Sequence, residues 1–195
     1  RDWSSDVCSS DLGQRNVDHE IAAAGKAARM ARVPWTCLAL ADTMPRTGVS
    51  GSPVVSPVLP GRNAVLLSSA ASHAAASRDG DIVLVIGATR NDADVFPDCR
   101  AEALSAIGSA LSLSLGRRVT VAAPWVSLSK VDVLRRPWGP LARAAISSSW
   151  SCYAERGPCG ECAPCSLRRD AFEAAGWTDA SREAAMFGGD PSRSQ

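Results

Sequence analysis

The sequence predicts an α/β fold, a doubly wound parallel sheet, with a C-terminal zinc-binding segment. Three observations carry this. Helical stretches alternate with short apolar runs along residues 18–134, the order that builds parallel sheets. Residues 81–86, Asp-Ile-Val-Leu-Val-Ile, are apolar with no alternation after the first, as in a strand covered on both faces. Cys152, Cys159, Cys162 and Cys165 follow the spacing C-x6-C-x2-C-x2-C, which lets four thiolates converge on one tetrahedral ion.

Taken in order, residues 1–12 show neither helical nor strand periodicity. They resemble translated sequencing-adapter read-through and are expected to stay outside the fold as a non-native tail. Asp18 can cap a helix reaching about Arg32, with Ile21, Ala24, Ala27, Ala28 and Ala31 on one face. Pro34 stops it, and residues 35–41 read as an apolar strand in which Cys37 is a buried small hydrophobe. Residues 43–60 are rich in Pro, Ser and Gly and read as a loop, and Ser50-Gly51-Ser52 is too broken by prolines to hold phosphate.

Residues 62–78 form a second helix with Leu67 and Ala71 inward. The strand 81–86 ends in a loop, 87–98, followed by a helix over 100–113 and a strand over 119–122. Ser129 or Ser127 caps a helix near 130–134, and the last helix covers about 166–175. The expected domains are therefore an α/β body over 13–149, a zinc segment with its helix over 150–180, and a fraying tail over 181–195.

Composition narrows the function classes. Apolar residues make up 46% and charged residues 21%, enough for a core, and the net charge is +1. No global field recruits nucleic acid or an anionic membrane, so neither is an expected partner. One Tyr and three Phe leave few platforms for stacking bases. No apolar run reaches the roughly 18 residues of a membrane span, and no basic stretch leads into an apolar one as in a secretory signal. Seven cysteines, four at metal spacing, fit a reducing, cytoplasmic setting better than a disulfide framework.

Ligands of doubly wound sheets bind beyond the carboxyl ends of the strands. Two such loops carry candidate chemistry. Pro60-Gly61-Arg62-Asn63 opens a helix, where free N–H groups and the dipole favour an anion; a plain turn and cap fits equally. In Phe96-Pro97-Asp98-Cys99-Arg100, Asp98 can accept from a guanine-like amidine face and Arg100 can pair an anion. Asp98 as a helix cap and Arg100 as solvated surface explain the same residues. Asp92 and Asp94 suit capping better than Mg2+. Lys130 reaches toward a phosphate or simply solvent. His19 and His73 have no nucleophile to serve. For the cysteines, a closed structural zinc is favoured because all four positions are thiolate; a catalytic zinc and an iron–sulfur cluster are the rivals.

The segments Gly13-Gln14-Arg15, Pro60-Gly61-Arg62-Asn63, Pro97-Asp98-Cys99-Arg100, Leu128-Ser129-Lys130, Trp150-Ser151-Cys152-Tyr153 and the cysteine block running on to Arg168 and Phe172, taken in this order, resemble the 7-cyano-7-deazaguanine synthase family. The resemblance implies an adenine nucleotide alpha-hydrolase-like fold of PP-loop type. It implies ATP, with Mg2+, activating the carboxylate of 7-carboxy-7-deazaguanine so that ammonia gives an amide and then a nitrile, a step of queuosine biosynthesis. Asp98, Arg100 and Phe96 would face the deazaguanine; Arg62, Asn63 and Lys130 would face phosphates or the acid; the cysteines would hold one structural Zn2+ per chain. No catalytic residue is assigned, and a homodimer is compatible.

Departures from the family pattern qualify the expectation. A phosphate loop of the type Ser-Gly-Gly-x-Asp-Ser is not in these residues, so a truncated, inactive ligase is expected. Phe96 stands where the family usually has Tyr, and the first cysteine gap is short. A non-catalytic zinc module binding RNA or protein is the alternative; the mixed charges of Glu155, Arg156, Glu161, Arg168 and Arg169 favour the enzyme. A related adenylating enzyme acting on tRNA shares the fold but leaves Trp150–Tyr153 unexplained.

Overall fold

The computed structural model describes residues 7–11, 16–40, 61–154 and 157–179. In chain order the elements are β1 (Val7–Asp11), α1 (Val17–Ala31), β2 (Trp35–Ala39), α2 (Arg62–Ser77), β3 (Ile82–Val85), α3 (Arg90–Val95), a 3₁₀ turn (Pro97–Cys99), α4 (Ala101–Leu115), β4 (Val119–Ala122), α5 (Lys130–Leu134), α6 (Pro140–Ser147) and α7 (Ala163–Ala175). The chain divides into two compact units, residues 1–43 with 134–195, and residues 44–133. Gly13-Gln14-Arg15, the 43–60 loop and the 181–195 tail lie outside the described residues.

In the first unit β1 and β2 pair in parallel, Val7 opposite Trp35 and Asp11 opposite Ala39, with α1 as the connection between them. Residues 7–11 are thus part of the fold, which corrects the expectation that residues 1–12 stay outside it. A strand held by backbone pairing to a neighbour needs no side-chain alternation of its own, so periodicity gave no signal. Helix α1 starts one residue after Asn16, not at Asp18, which sits with Glu20 in the first turn and complements the helix dipole from there. The helix ends where Arg32 turns left-handed (φ 56°) and its N–H reaches the Ala28 and Arg29 carbonyls, a C-terminal cap ahead of Pro34.

The second unit is built on β3 and β4, parallel, with Ile82 opposite Val119 and Val85 opposite Ala122. Leu67 of α2, Ala88, Cys99 and Leu104 of α4 form its buried centre, with Leu84, Ile86, Phe96 and Val121 packed against it. Leu104 is 1% exposed; burying a leucine contributes about 1.5–3 kcal/mol. Helix α4 lies close on β4 because position 108 is glycine. A Cβ there would stand 3.3 Å from the Val121 nitrogen. The Ser112 hydroxyl accepts from the Val119 N–H (2.9 Å) and donates to the Gly108 carbonyl (2.8 Å), fastening the same contact.

The α/β character and parallel pairing agree with the sequence reading. Among the described residues the strands form two two-stranded sheets, β1–β2 and β3–β4. Strand β3 is not covered on both faces: Val83 and Val85 are exposed while Ile82 is buried. Cys37 is exposed too, on the open side of β2. An apolar run reports tolerance of burial, not burial itself. Helices α3 and α6 were not expected. The first follows from Thr89 and Asp92: the Asp92 carboxylate accepts from the Thr89 N–H (2.9 Å) and hydroxyl (2.6 Å), closing a helix start inside what reads as a loop. The second begins with Pro140 after an extended Gly139.

Candidate functional site

The cysteines meet where the loop 152–162 runs into α7. Cys162 is the residue before the helix and Pro164 lies in its first turn, so Cys165 is already helical. That start, at Ala163, is earlier than the 166 expected. Gly160, at φ 77°, supplies the left-handed turn between Cys159 and Cys162 that a side chain would strain. The four Sγ atoms all lie within 4.8 Å of one another. Cys152 and Cys159 are 3.5 Å apart, Cys159 and Cys165 4.0 Å, Cys162 and Cys152 4.0 Å. A tetrahedron with metal–sulfur bonds of about 2.3 Å has edges of roughly 3.8 Å, so the set can hold a metal ion.

Backbone donors surround these sulfurs. The N–H groups of Ala154 and Cys159 point at the Cys152 sulfur, each at 3.3 Å, and that of Cys162 at the Cys159 sulfur, 3.4 Å. Amides of Glu161 and Cys162 hold the Cys159 thiol down to about 6, whereas burial pushes Cys152 up and Cys165 to about 12. A bound cation would displace the thiol protons.

A polar frame holds the cluster in place. The Asn16 side chain donates to the Cys152 carbonyl (2.7 Å), and the Trp150 indole N–H donates to the same oxygen (2.7 Å). His19 of α1 stacks on the Trp150 ring, centroids 4.0 Å apart, the structural role expected of it. On α7, Arg168 pairs bidentately with Asp179 at 2.8 and 2.9 Å, and donates to the Ser149 hydroxyl (2.8 Å) and the Ser147 carbonyl (2.9 Å). Its guanidinium carbon lies 4.5 Å from the centre of the buried Phe172 ring. Trp150, Arg168 and Phe172 thus serve the frame of the cysteine loop. Asn16 and Asp179 were missed as parts of it, since their partners are far away in sequence.

The other candidates lie in the second unit. Asn63, buried in the first turn of α2, has its backbone N–H 3.0 Å from Asp98 Oδ2. Its side-chain amide donates to the Asp98 carbonyl (3.2 Å) and the Cys99 sulfur (3.2 Å). Asp98 therefore caps α2 across space; the residue before α4 is Arg100. Arg62 and Arg100 are exposed, the latter with its Nε 3.3 Å from the Ala93 carbonyl. Phe96 is half-buried against the core of its unit. Burial raises the Cys99 thiol above its ordinary value.

Lys130 is engaged rather than free: its ammonium meets Asp92 Oδ1 at 3.1 Å and its backbone N–H the Asn91 side chain at 3.0 Å. Burial alone would raise the Asp92 carboxyl, but hydrogen bonds from Thr89 and the Lys130 charge outweigh it and hold the group below its usual value. Ser129 caps α5 as expected, bonded reciprocally with Asp132 (2.6 Å hydroxyl to carboxylate). The structure therefore joins Asn63 with Asp98, ties Lys130 to Asp92, and leaves Arg62 and Arg100 toward solvent. The Thr89-x-x-Asp92 pattern was the overlooked signal here.

Parallel α/β units with a four-cysteine loop define the class: an α/β protein whose C-terminal segment can hold a metal ion. The profile described as queuosine biosynthesis protein QueC matches residues 8–176, and the chain belongs to this family, with a role in queuosine biosynthesis. The match begins within the segment that first read as a foreign tail. Among similar proteins, a 7-cyano-7-deazaguanine synthase of Methanosarcina barkeri is 32% identical over 91% of this chain and 70% of its own length. Proteins of the same name from Microcystis aeruginosa (34%; 86% of this chain, 79% of theirs) and Chromobacterium violaceum (34%; 87% and 77%) are similarly related. Among the described residues no helix is long and apolar enough to cross a membrane.

Proposed function

We propose that the chain carries the base-recognition and zinc-held parts of an ATP-dependent carbon–nitrogen ligase, converting 7-carboxy-7-deazaguanine and ammonia to 7-cyano-7-deazaguanine. The observation that carries this reading is the likeness, over most of the chain, to relatives called 7-cyano-7-deazaguanine synthase. The doubly wound, PP-loop type sheet is the architecture we propose with it, in the cytoplasm.

The chemistry asks three things of the protein. A carboxylate is a poor electrophile until one oxygen becomes a leaving group, which ATP with Mg2+ would supply; cations must then face the anionic reactants. Arg62 and Arg100, both exposed, are the residues we assign to that charge. Lys130 can join them only by leaving Asp92. The base must be recognised, and Asp98 is the acceptor we assign to its N–H face, beside Phe96. The C-terminal segment must be held in place, and Cys152, Cys159, Cys162 and Cys165 would do so around one structural Zn2+: thiolate is a preferred zinc ligand, and the sulfur spacing fits.

No Ser-Gly-Gly-x-Asp-Ser occurs in these 195 residues. A polypeptide made of these residues alone is therefore expected to bind the deazaguanine but not turn it over. Calorimetric titration with 7-carboxy-7-deazaguanine, alongside an assay with ATP, Mg2+ and ammonia, tests both parts. Absence of binding sinks the assignment of the base site; nitrile formation overturns the expected inactivity.

A further inference from the structure

We infer that Asn63 is a positioning residue for Asp98, aiming one carboxylate oxygen at a ligand, and is not itself a phosphate ligand. This rests on the assignment of Asp98 to the base. Asn63 is 3% exposed, and its donors are all spent internally. The two hydrogens of the side-chain amide match two acceptors, the Asp98 carbonyl and the Cys99 sulfur, both at 3.2 Å. The third donor, the backbone N–H, holds Asp98 Oδ2 at 3.0 Å. Nothing is left on Asn63 to donate to an anion.

The same contacts fix Asp98 at two points. Its peptide is held through the carbonyl and its carboxylate through Oδ2, while the neighbouring Cys99 is buried in the core with Leu67 and Leu104. Residues 97–99 form a tight 3₁₀ turn, so little freedom remains. Oδ1 takes no hydrogen bond from a described residue, and Asp98 is only half-buried. The result is a single acceptor oxygen with a set direction, suited to an N–H donor of a guanine-type base such as its 2-amino group. An acceptor aimed in advance gains specificity because less ordering is needed on binding. An aspartate at position 63 would turn both donors into acceptors facing a carbonyl and a sulfur.

The test compares two probes: 7-cyano-7-deazaguanine and its analogue lacking the 2-amino group. Wild-type protein should prefer the first by about tenfold or more, since one charge-assisted hydrogen bond is lost. In Asn63→Ala and Asn63→Asp that preference should collapse toward unity, as it should in Asp98→Asn. Equal weakening of both probes with the preference kept overturns the inference and leaves Asn63 a fold element. No preference in wild type, with both probes bound, overturns the underlying assignment of Asp98 instead. A measurement on wild type covers variants that fold poorly. In wild type the Asn63 backbone amide, held by Asp98 at 3.0 Å, should exchange with deuterium slowly for a first-turn helix position, and free exchange refutes the clamp.

Discussion

The side-chain amide of Asn16, just before α1, donates to the main-chain carbonyl of Cys152 at 2.7 Å, in a buried contact between residues far apart in sequence. The Trp150 indole supplies a second donor to that oxygen, also at 2.7 Å. A carbonyl has two lone pairs, so both are satisfied, and the first cysteine of the cluster is fixed through its backbone rather than its sulfur.

Loss of either donor should therefore be mild and loss of both severe. Asn16→Ala and Trp150→Phe each leave the carbonyl one partner; removing one such bond typically costs about 0.5–1.5 kcal/mol. In the double variant the buried carbonyl has neither donor, and an unsatisfied group costs about 1–3 kcal/mol. The double-mutant cycle, read by urea unfolding, should show a loss exceeding the sum of the single losses. Simple additivity contradicts the shared-acceptor arrangement.

Purified protein should contain one zinc per chain by elemental analysis. Cys162→Ser should lower the zinc content, and chelation should lower the melting temperature of wild type far more than of the variant. The cluster pins a loop with little apolar core of its own, and metal binding in small sites supplies about 10–16 kcal/mol. Iron with visible charge-transfer absorbance would contradict the zinc assignment.

What the sequence disclosed, and what it did not, follows from the range of the interactions. The helices α1, α2, α4 and α5 and the strands β2, β3 and β4 announce themselves through local composition, and their starts moved by only a few residues. The cysteine cluster was legible because a set able to chelate an ion has a characteristic spacing. The strand β1 was not: it is defined by pairing with β2. Asp98 read as either the cap of the helix after it or a ligand; the helix it caps is an earlier one, through Asn63, 35 residues away. Asn63 read as an anion ligand for the same reason, since an asparagine at a helix start looks alike whether its amide faces solvent or a core cysteine.

Arg168 and Asp179 should be strongly coupled. Their side chains are 9% and 6% exposed and joined by two short bonds. Breaking a buried pair by removing one partner strands the other charge and costs about 3–5 kcal/mol. Asp179→Ala should fall in that range by urea unfolding. Arg168→Met with Asp179→Leu should regain much of the loss, because neither charge then remains buried. If the double variant is as unstable as the sum of the singles, the serine contacts of Arg168 carry the stability instead.

Asp92 gives the second unit a defined acid sensitivity. Its carboxyl is partly buried, which opposes ionisation, yet the Thr89 hydrogen bonds and Lys130 bring it below the ordinary value of 3.8. A depressed carboxyl binds its proton more weakly in the folded state than in the unfolded one. Its stabilisation is therefore complete well above that ordinary value and is lost as pH falls through the folded one. Asp92→Asn removes this contribution at every pH. Variant and wild type should differ most in urea midpoint near neutrality, and the gap should begin to close only as pH falls below about 4. The cysteine cluster also responds to acid, but it is common to both proteins and drops out of the difference. A gap that stays constant from pH 7 to about pH 3 means that Asp92 acts through its shape, and that the Thr89 and Lys130 contacts do not depend on its charge.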